Sequence, residues 1–424
     1  MAAGPGHSSA PGPRSLARRL GTGDAVVVGL GAMIGAGVFS AFAPAARAAG
    51  SGLLAALGLA AVVAYANASS SAGLAALYPR SGGTYVYGRE RLGDRWGFLA
   101  GSGFVAGKAA SCSAMALTFA SYAWPAHARP LALAAIAALV GVNLAGIEKT
   151  ALVTKALVAA VLATLAFVVA AALLGGSPSA SRLTPFAGHG AYGILQAAGI
   201  LFFAFAGYAR IATLGDEVRD PERTIPRAIP AALAITLAVY AAVGVSALLV
   251  LGAPGLASAS APLHGVVAAS SWHRGSWLVR VGAAVASLGA LLSLLAGTSR
   301  TVFAMASNGD LPRRLAAVHD RRRTPYLAEL ALGAVVLAVT ATVDIRGAIG
   351  FSSFAVLAYY AIANASALTL TGTERRSPRA VAVIGLAGCV VLAGTLPWRS
   401  VAAGVAALVT AVALRELLLR AKPN

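Results

Sequence analysis

The stretch GLGAMIGAGVF, from Gly29 to Phe39, lies inside the first long apolar segment of the chain and decides the fold. Four of its first nine residues are glycines, at positions 29, 31, 35 and 37. Glycine is a poor helix former, and hydrocarbon tolerates free backbone groups only where they are buried in protein or line a cavity. We therefore predict an interrupted membrane helix with a use for the freed backbone. The alternative is close helix packing through small residues at regular spacing.

The composition requires many membrane spans. Of 424 residues, 58% are hydrophobic and 11% charged, and the mean hydropathy is +0.78. These values exclude a soluble globular or a disordered protein. We predict an all-α polytopic membrane protein of twelve helices, each near the ~20 residues that cross a bilayer. A cleaved signal peptide is rejected, because its apolar core would be the glycine cluster itself.

The net charge of +19 is distributed unevenly along the chain. With the N-terminus inside, most Arg and Lys fall in both tails and the even-numbered connections. The opposite side has only Arg47, Arg129, Arg182, Arg274, Arg280, Arg346 and Arg399. This asymmetry predicts that both termini are cytoplasmic and that the basic residues contact lipid rather than nucleic acid. Abundant Ala, Gly and Arg indicate a high-GC bacterial genome, hence a bacterial inner membrane.

A second interruption is predicted in the sixth helix, Tyr192 to Leu214, where the sequence reads GILFFAFAGYARIATLGDEVRDPERTIPRAI. Helices one and six take equivalent places if the first ten helices form two repeats of five. Paired breaks at such places point to the binding site of a secondary transporter. The predicted organisation is a disordered cytoplasmic tail (1–21), a first repeat (22–175), a second repeat (191–371), helices eleven and twelve (378–419) and a cytoplasmic tail (420–424).

Four motifs occur in order along nearly the whole chain: GLGAMIGAGVFSAFAPAARAAG, YPRSGGTYVY, FFAFAGYARIATLGDEVRDPERTIPRAI and GTSRTVFAMASNGDLPRRLAAVHDRRRTP. Together they resemble the signatures of amino acid permeases of the amino acid, polyamine and organocation (APC) superfamily. The resemblance implies two inverted five-helix repeats, broken helices one and six, two C-terminal helices and alternating access around a site at the bilayer midplane. It implies no particular solute.

The resemblance also implies which backbone groups bind the substrate. The carboxylate is received by the amides of Gly35, Ala36 and Gly37, and the amine lies near the carbonyls of Met33, Ile34, Phe203, Ala204 and Ala206. Phe203 and Phe205 offer an aromatic gating surface. The physical chemistry agrees, because the N-terminus of a half-helix suits an anion and a C-terminus suits a cation. A zwitterionic amino acid satisfies both ends.

Lys108 lies twelve residues into the predicted third helix, Trp96 to Trp124, at a depth of ~18 Å that its side chain does not readily span by snorkelling. Some proton-coupled relatives carry a lysine on helix five, but here the matching region around Val161 is apolar and Lys155 is nearer the cytoplasmic end. Since a desolvated lysine can lose its proton near physiological pH, Lys108 is the candidate for proton coupling. A lysine facing a wet vestibule is the alternative.

Three further residues are candidates for a cytoplasmic gate, in which Arg300 pairs with Asp216 or Glu217. A solvated charge cluster is the alternative. The helix interiors hold almost no acidic residues, Asp24 and Glu329 lying near helix ends. Because a cationic side chain or a polyamine requires a buried anion, small or neutral amino acids are the predicted substrates, ahead of arginine, lysine and putrescine.

The predicted function is proton-coupled transport of amino acids across the cytoplasmic membrane, with an amino acid or polyamine exchanger of the same fold as the alternative. The partners are the amino acid, the proton and the lipid bilayer. An enzyme is not predicted, because no catalytic motif is found. Nor is a cofactor or a metal site, with only six histidines and two cysteines, widely scattered. A membrane sensor or scaffold without transport is a more distant alternative.

Overall fold

The structure, a computed structural model, describes residues 20–78, 82–146, 151–212, 218–319 and 324–420. The first half of this described chain contains eight α-helices: α1 (Thr22–Met33), α2 (Ala36–Ser40), α3 (Phe42–Ala49), α4 (Leu53–Leu77), α5 (Thr84–Leu92), α6 (Asp94–Ala123), α7 (Ala128–Leu144) and α8 (Ala151–Leu174). The second half contains nine: α9 (Gly190–Phe205), α10 (Ala209–Ala212), α11 (Pro221–Ser258), α12 (Pro262–Ala268), α13 (Ser276–Ser307), α14 (Tyr326–Thr342), α15 (Ile345–Leu368), α16 (Arg379–Thr395) and α17 (Trp398–Arg420).

The all-α prediction is confirmed for the described residues, where the one extended pairing is an isolated parallel bridge between Leu20 and Val218. Among the residues that the structure describes, ten helical segments are long and apolar enough to cross a membrane. Two shorter apolar helices of 17 residues each, α14 and α16, occupy the places predicted for helix nine (Tyr326 to Val343) and helix eleven (Arg379 to Leu396). Seventeen residues is the lower end of the spanning range. The total of twelve spans and the two inverted repeats stay predictions.

The tryptophans mark the ends of the long helices. All five lie within a few residues of a helix end, and their exposed fractions run from 39% at Trp272 to 73% at Trp398. Tryptophan is enriched at membrane–water interfaces, where its ring is half in the apolar region and its N–H reaches water. The placement is that expected of a multi-pass membrane protein.

The long helix α6 runs through the middle of the bundle, packed against α13 on one side and α15 on another. Glycines allow this close packing. A Cβ added to Gly101 would lie 2.8 Å from Sδ of Met305 on α13, and one added to Gly107 would lie 3.0 Å from Cβ of Ala355 on α15. Lys108 is therefore on a helix that is enclosed between two others.

The interruption of helix one is present within the glycine cluster. The helix leaves helical geometry at Ile34 (φ −82°, ψ 60°) and Gly35 (φ −110°, ψ −136°) and starts again at Ala36. Ala41 keeps helical angles (φ −76°, ψ −21°) and joins α2 to α3, so the second half of the helix is continuous from Ala36 to Ala49. The break has a free helix C-terminus on one side and a free N-terminus on the other.

The interruption of helix six is predicted in the middle of the helix, at Phe202 to Gly207, and the structure alters the helix only at the end of that stretch. The α-helix continues to Phe205 and then tightens into a 3-10 turn, Ala206–Tyr208, before α10. The apolar residues Phe202 to Phe205 are good enough helix formers to hold the ladder, and the change begins only beside Gly207. Helix six is thus distorted rather than cut.

Candidate substrate site

The two altered segments cross in direct backbone contact. A Cβ on Gly37 would lie 2.7 Å from Cα of Ala204, and a Cβ on Gly207 would lie 2.6 Å from the amide nitrogen of Met33. Real Cβ atoms do not approach backbone so closely, so both positions require glycine here. The glycines therefore bring the N-terminus of α2 against the end of α9 and the C-terminus of α1 against the turn that follows α9.

Tyr240 on α11 holds the two segments together. Its buried hydroxyl lies 2.6 Å from the carbonyl oxygen of Met33 and 3.1 Å from that of Ala204, and it donates its single proton to either one. Sequence reasoning missed this residue. The available signal was a tyrosine within an apolar helix, because a buried phenol needs a partner for its O–H.

The three amides predicted to bind the substrate carboxylate differ in whether they already have an acceptor within the protein. The Gly35 amide already donates to the Met33 carbonyl at 2.9 Å. Ala36 and Gly37 stand in the first turn of the restarted helix, where amides have no intrahelical acceptor. Their N–H groups lie at the positive end of a half-helix, which favours an anion. The anion-binding part of the site is therefore the first turn of α2.

The carbonyls predicted to bind the substrate amine lie at C-terminal ends of helices, opposite the N-terminus that suits the carboxylate. Met33 ends α1, and its carbonyl is engaged by Tyr240 and Gly35. The carbonyl of Phe203 accepts from the amide of Ala206 at the end of α9. A substrate amine at these oxygens shares them with, or displaces, the internal donors. In the structure, the carbonyls of Met33 and Phe203 thus already accept hydrogen bonds from groups of the protein itself.

The side chains of the site are buried and apolar. Exposed fractions are 2% for Met33, 3% for Ile34, 0% for Ala36, 7% for Phe203, 4% for Ala204, 0% for Phe205 and 5% for Ala206. The ring of Phe205 packs edge-on against Tyr240, with centroids 5.3 Å apart. On the far side, a Cβ on Gly35 would lie 3.0 Å from Cβ of Ala290 on α13. Recognition here depends on backbone groups.

Lys108 is buried, with 7% of its surface exposed, and its Nζ lies 5.8 Å from the centroid of the Phe104 ring. Within the described chain no hydrogen bond or ion pair joins it. Phe104 packs on Tyr359, Tyr359 on Tyr360, and Tyr360 on Tyr208, with centroids 5.3, 4.8 and 5.1 Å apart. Since Tyr208 belongs to the 3-10 turn of helix six, a chain of aromatic rings connects Lys108 to the site.

The predicted helix five corresponds to α8, and its lysine has different surroundings from Lys108. Val161 is buried and apolar, whereas Nζ of Lys155 on α8 lies 2.6 Å from the carboxylate of Asp24 on α1. Both side chains are partly exposed, at 51% and 31%. The lysine of helix five thus forms an ion pair with the first turn of helix one, away from the break.

The predicted gate is only partly within the structure. Arg300 is an exposed residue of α13, and Asp216 and Glu217 lie outside the described residues. A different charge cluster, which sequence reasoning missed, surrounds the buried Asp310 at the end predicted to be cytoplasmic. The signal was the GDLP segment in the fourth motif, an acid shortly before Arg313 and Arg314.

The Asp310 cluster joins three parts of the chain. Asp310 accepts from Tyr85 on α5 at 2.6 Å, from Arg415 on α17 at 3.2 Å and from Arg89 on α5 at 3.4 Å. Burial and the Asp310 carboxylate raise the pKa of the Tyr85 hydroxyl, so it stays a neutral donor at physiological pH. Charge-assisted bonds to a buried carboxylate are the strong kind. They tie α5 and α17 to the segment after α13.

Glu329 lies near a helix end, as predicted, in the first turn of α14. The burial of this residue was not predicted: it is 3% exposed, and Nδ2 of Asn143 donates to its carboxyl at 2.8 Å. The helix α14 begins at Tyr326, and the neighbouring α7 covers this first turn. The membrane helices therefore contain a buried carboxyl group besides the lysine.

Removal of the Tyr240 hydroxyl should loosen the site. We expect Tyr240→Phe to keep the fold, since the ring remains, but to leave the carbonyls of Met33 and Ala204 without this donor. Losing one buried hydrogen bond costs roughly 1–3 kcal/mol, which corresponds to about a ten- to hundredfold change in an equilibrium constant. Binding titrations on purified protein measure the effect. Unchanged affinity in Tyr240→Phe would mean that the bond does not organise the site.

Helix one, interrupted at Ile34 and Gly35, crosses the distorted helix six within a bundle of apolar helices long enough to span a membrane. This arrangement defines a polytopic membrane protein with a backbone-lined centre. The chain belongs to the amino acid permease family, whose model matches residues 20–414. It is a transporter family, and this chain is accordingly grouped with transporters rather than enzymes.

The relatives are matched over 64% to 93% of their own length. An uncharacterized transporter of Mycobacterium tuberculosis is 61% identical over 414 residues, covering 96% of this chain and 93% of that protein. The branched-chain amino acid permease BcaP of Bacillus subtilis is 25% identical over 394 residues, covering 87% and 84%. The chloroplastic cationic amino acid transporter 7 of Arabidopsis thaliana is 24% identical over 378 residues, covering 81% and 64%.

Proposed function

We propose that this permease is a secondary active transporter that moves small or neutral amino acids across the bacterial cytoplasmic membrane by alternating access, driven by protons. The observation that carries the proposal is the direct crossing of the two altered helices, with the N-terminus of α2 against α9 and the C-terminus of α1 against the turn that follows α9. Such helix ends supply one pole for a carboxylate and one for an ammonium group. Gly35, Ala36 and Gly37 receive the former, and carbonyls of Met33, Ile34, Phe203, Ala204 and Ala206 the latter.

The residues that line the candidate site favour a substrate with a neutral side chain. Met33, Phe203 and Phe205 are apolar, and the wall opposite Gly35 is Ala290. None of these offers an anion to a cationic side chain or a polyamine. The name of the Bacillus relative points in the same direction, and that of the Arabidopsis relative in the other. An exchanger of amino acids or polyamines is the second candidate.

Lys108 is the proposed coupling residue. Its ammonium group is buried in the middle of α6 with no acidic partner among the described residues, so protonation there is costly and depends on hydration. The aromatic chain from Phe104 to Tyr208 is the proposed route by which its state reaches helix six. The gate between Arg300 and Asp216 or Glu217, and a cytoplasmic position for both termini, complete the proposal.

Uptake by purified protein in proteoliposomes tests the function. A panel of radiolabelled amino acids, with putrescine, is offered with and without an imposed proton gradient, and protein-free liposomes serve as the control. We expect saturable uptake of one or more neutral amino acids, accumulated above equilibrium only with the gradient. Strict dependence on internal solute would favour the exchanger. Absence of saturable uptake across the panel would contradict amino acid transport.

A further inference from the structure

The register of α6 against α13 can be read from two contacts. Near one end, the guanidinium of Arg280 on α13 donates to the carbonyls of Tyr122 and Ala123 at 2.7 and 2.8 Å. Near the other end, Gly101 lies against the sulfur of Met305. The residue numbers rise along one helix as they fall along the other. The two helices are therefore antiparallel and in contact along most of their length.

Seven residues bring each helix back to the same face. Two turns of α-helix take about 7.2 residues, so positions seven apart differ by only ~20° around the axis. Seven residues after Gly101 is Lys108, and seven residues before Met305 is Thr298. Starting from the Gly101–Met305 contact, both steps run in the same direction through the membrane. Lys108 and Thr298 thus occupy facing positions between the two helices.

Thr298 has a hydroxyl without a partner in the described structure. The residue is 0% exposed, and its Oγ1 makes no hydrogen bond there. Several other hydroxyls on α13 donate to a carbonyl of their own helix, as Ser293 does to Gly289 at 3.1 Å and Ser299 to Ala296 at 3.0 Å. The buried Ser287 hydroxyl, which lies further from Thr298 along α13 than Ser293 does, also makes no hydrogen bond in the described structure. A buried hydroxyl left unbonded costs free energy. The Thr298 hydroxyl is available to the group that faces it.

We propose that Thr298 is a positioning residue for proton coupling, whose Oγ1 accepts a hydrogen bond from the Lys108 ammonium group when the lysine carries a proton. The inference rests on the proposed coupling role of Lys108. The flexible lysine stem moves Nζ from above Phe104 toward α13, and the hydroxyl replaces part of the hydration that the charge loses on burial. Deprotonation removes the bond and frees the lysine, so the two protonation states differ in side-chain position.

Other ionisable groups surround α6 and stay unchanged in the test. They are Cys112 on α6 itself, Tyr85 and Arg89 on α5, Arg280 on α13, Glu329 on α14, Tyr359 on α15 and Arg415 on α17. Within the described chain none of them hydrogen-bonds to Lys108. A pH profile that changes only when the Thr298 hydroxyl is removed is therefore assigned to the Lys108–Thr298 pair.

The pH dependence of gradient-driven uptake in proteoliposomes tests the pair. Thr298→Val keeps the shape of the side chain and removes the hydroxyl, which withdraws an acceptor from the ammonium form. The midpoint of the uptake profile should move to lower pH by about one unit, and Thr298→Ser should restore it. Thr301→Val is the matched control, because Thr301 bonds to the Gly297 carbonyl of its own helix.

Substrate exchange at equilibrium separates folding from coupling, since it needs an intact site but no proton gradient. If Thr298→Val is not inserted into the membrane, Thr298→Ala carries the same expectation. An unshifted profile in a variant that still exchanges substrate overturns the role of Thr298. Failure of the coupling proposal itself shows differently, as uphill uptake that survives in Lys108→Met.

Discussion

Replacing Gly37 by leucine should abolish amino acid binding while leaving folded protein in the membrane. The added side chain starts 2.7 Å from Cα of Ala204, and this neighbour is the backbone of helix six rather than a side chain that can rotate away. Helix six must move, and the free amides of α2 lose their place beside it. With two charge-assisted bonds at roughly 1.5–3 kcal/mol each, the loss in affinity should be at least hundredfold.

The structure separates Gly37 from Gly35. A Cβ at Gly35 meets the methyl of Ala290 at 3.0 Å and the carbonyl oxygen of Ala286 at an ordinary contact distance of 3.9 Å. Gly35→Ala should therefore be milder than Gly37→Ala, although Gly35→Leu should also prevent binding. The matched control is Gly58→Leu, which places the same side chain on the membrane helix α4 where no atom lies within 4 Å of the new Cβ. Binding titrations and size-exclusion profiles report site and fold separately. Normal affinity in Gly37→Leu would mean that the glycine cluster serves only close helix packing.

The break of helix one could be predicted because its cause is local. Four glycines within nine residues weaken the helix wherever it is placed. Helix six was predicted less well, since Phe202 to Phe205 carry no helix-breaking residue and the 3-10 turn forms beside Gly207, where helix one approaches. That approach is a tertiary contact. In the sequence of helix six, the single Gly207 is what indicates this contact.

The residues that sequence reasoning missed act over long separations. Tyr240 bonds to Met33, 207 positions away, and Arg415 to Asp310, 105 positions away. Neither spacing follows a helical period, so no local pattern connects the partners. The burial of Glu329 was missed for a related reason. Its depth depends on Asn143 and the neighbouring α7, whereas the sequence shows only that it stands in the first turn of a helix.

Replacing Lys108 by methionine should convert uphill accumulation into equilibration or exchange without abolishing solute binding. Coupling to protons needs a group that titrates within the membrane, and the histidines fall in tails or connections between the predicted spans. Lys108 is buried in the middle of α6. When the surrounding bundle opens to water, the ammonium form is stabilised, and when it closes, the charge is penalised. Protonation therefore favours one conformation over the other.

The measurement compares accumulation of the transported amino acid in proteoliposomes with an imposed proton gradient. Lys108→Met keeps length and volume but cannot titrate, so the accumulation ratio should fall to about one while counterflow exchange continues. Glu329→Gln is the informative comparison, because Glu329 is the buried carboxyl that the structure reveals and Gln keeps the bond to Asn143. If Glu329→Gln loses accumulation and Lys108→Met retains it, coupling belongs to the carboxyl. Uphill transport in Lys108→Met leaves the lysine as a structural cation packed on Phe104.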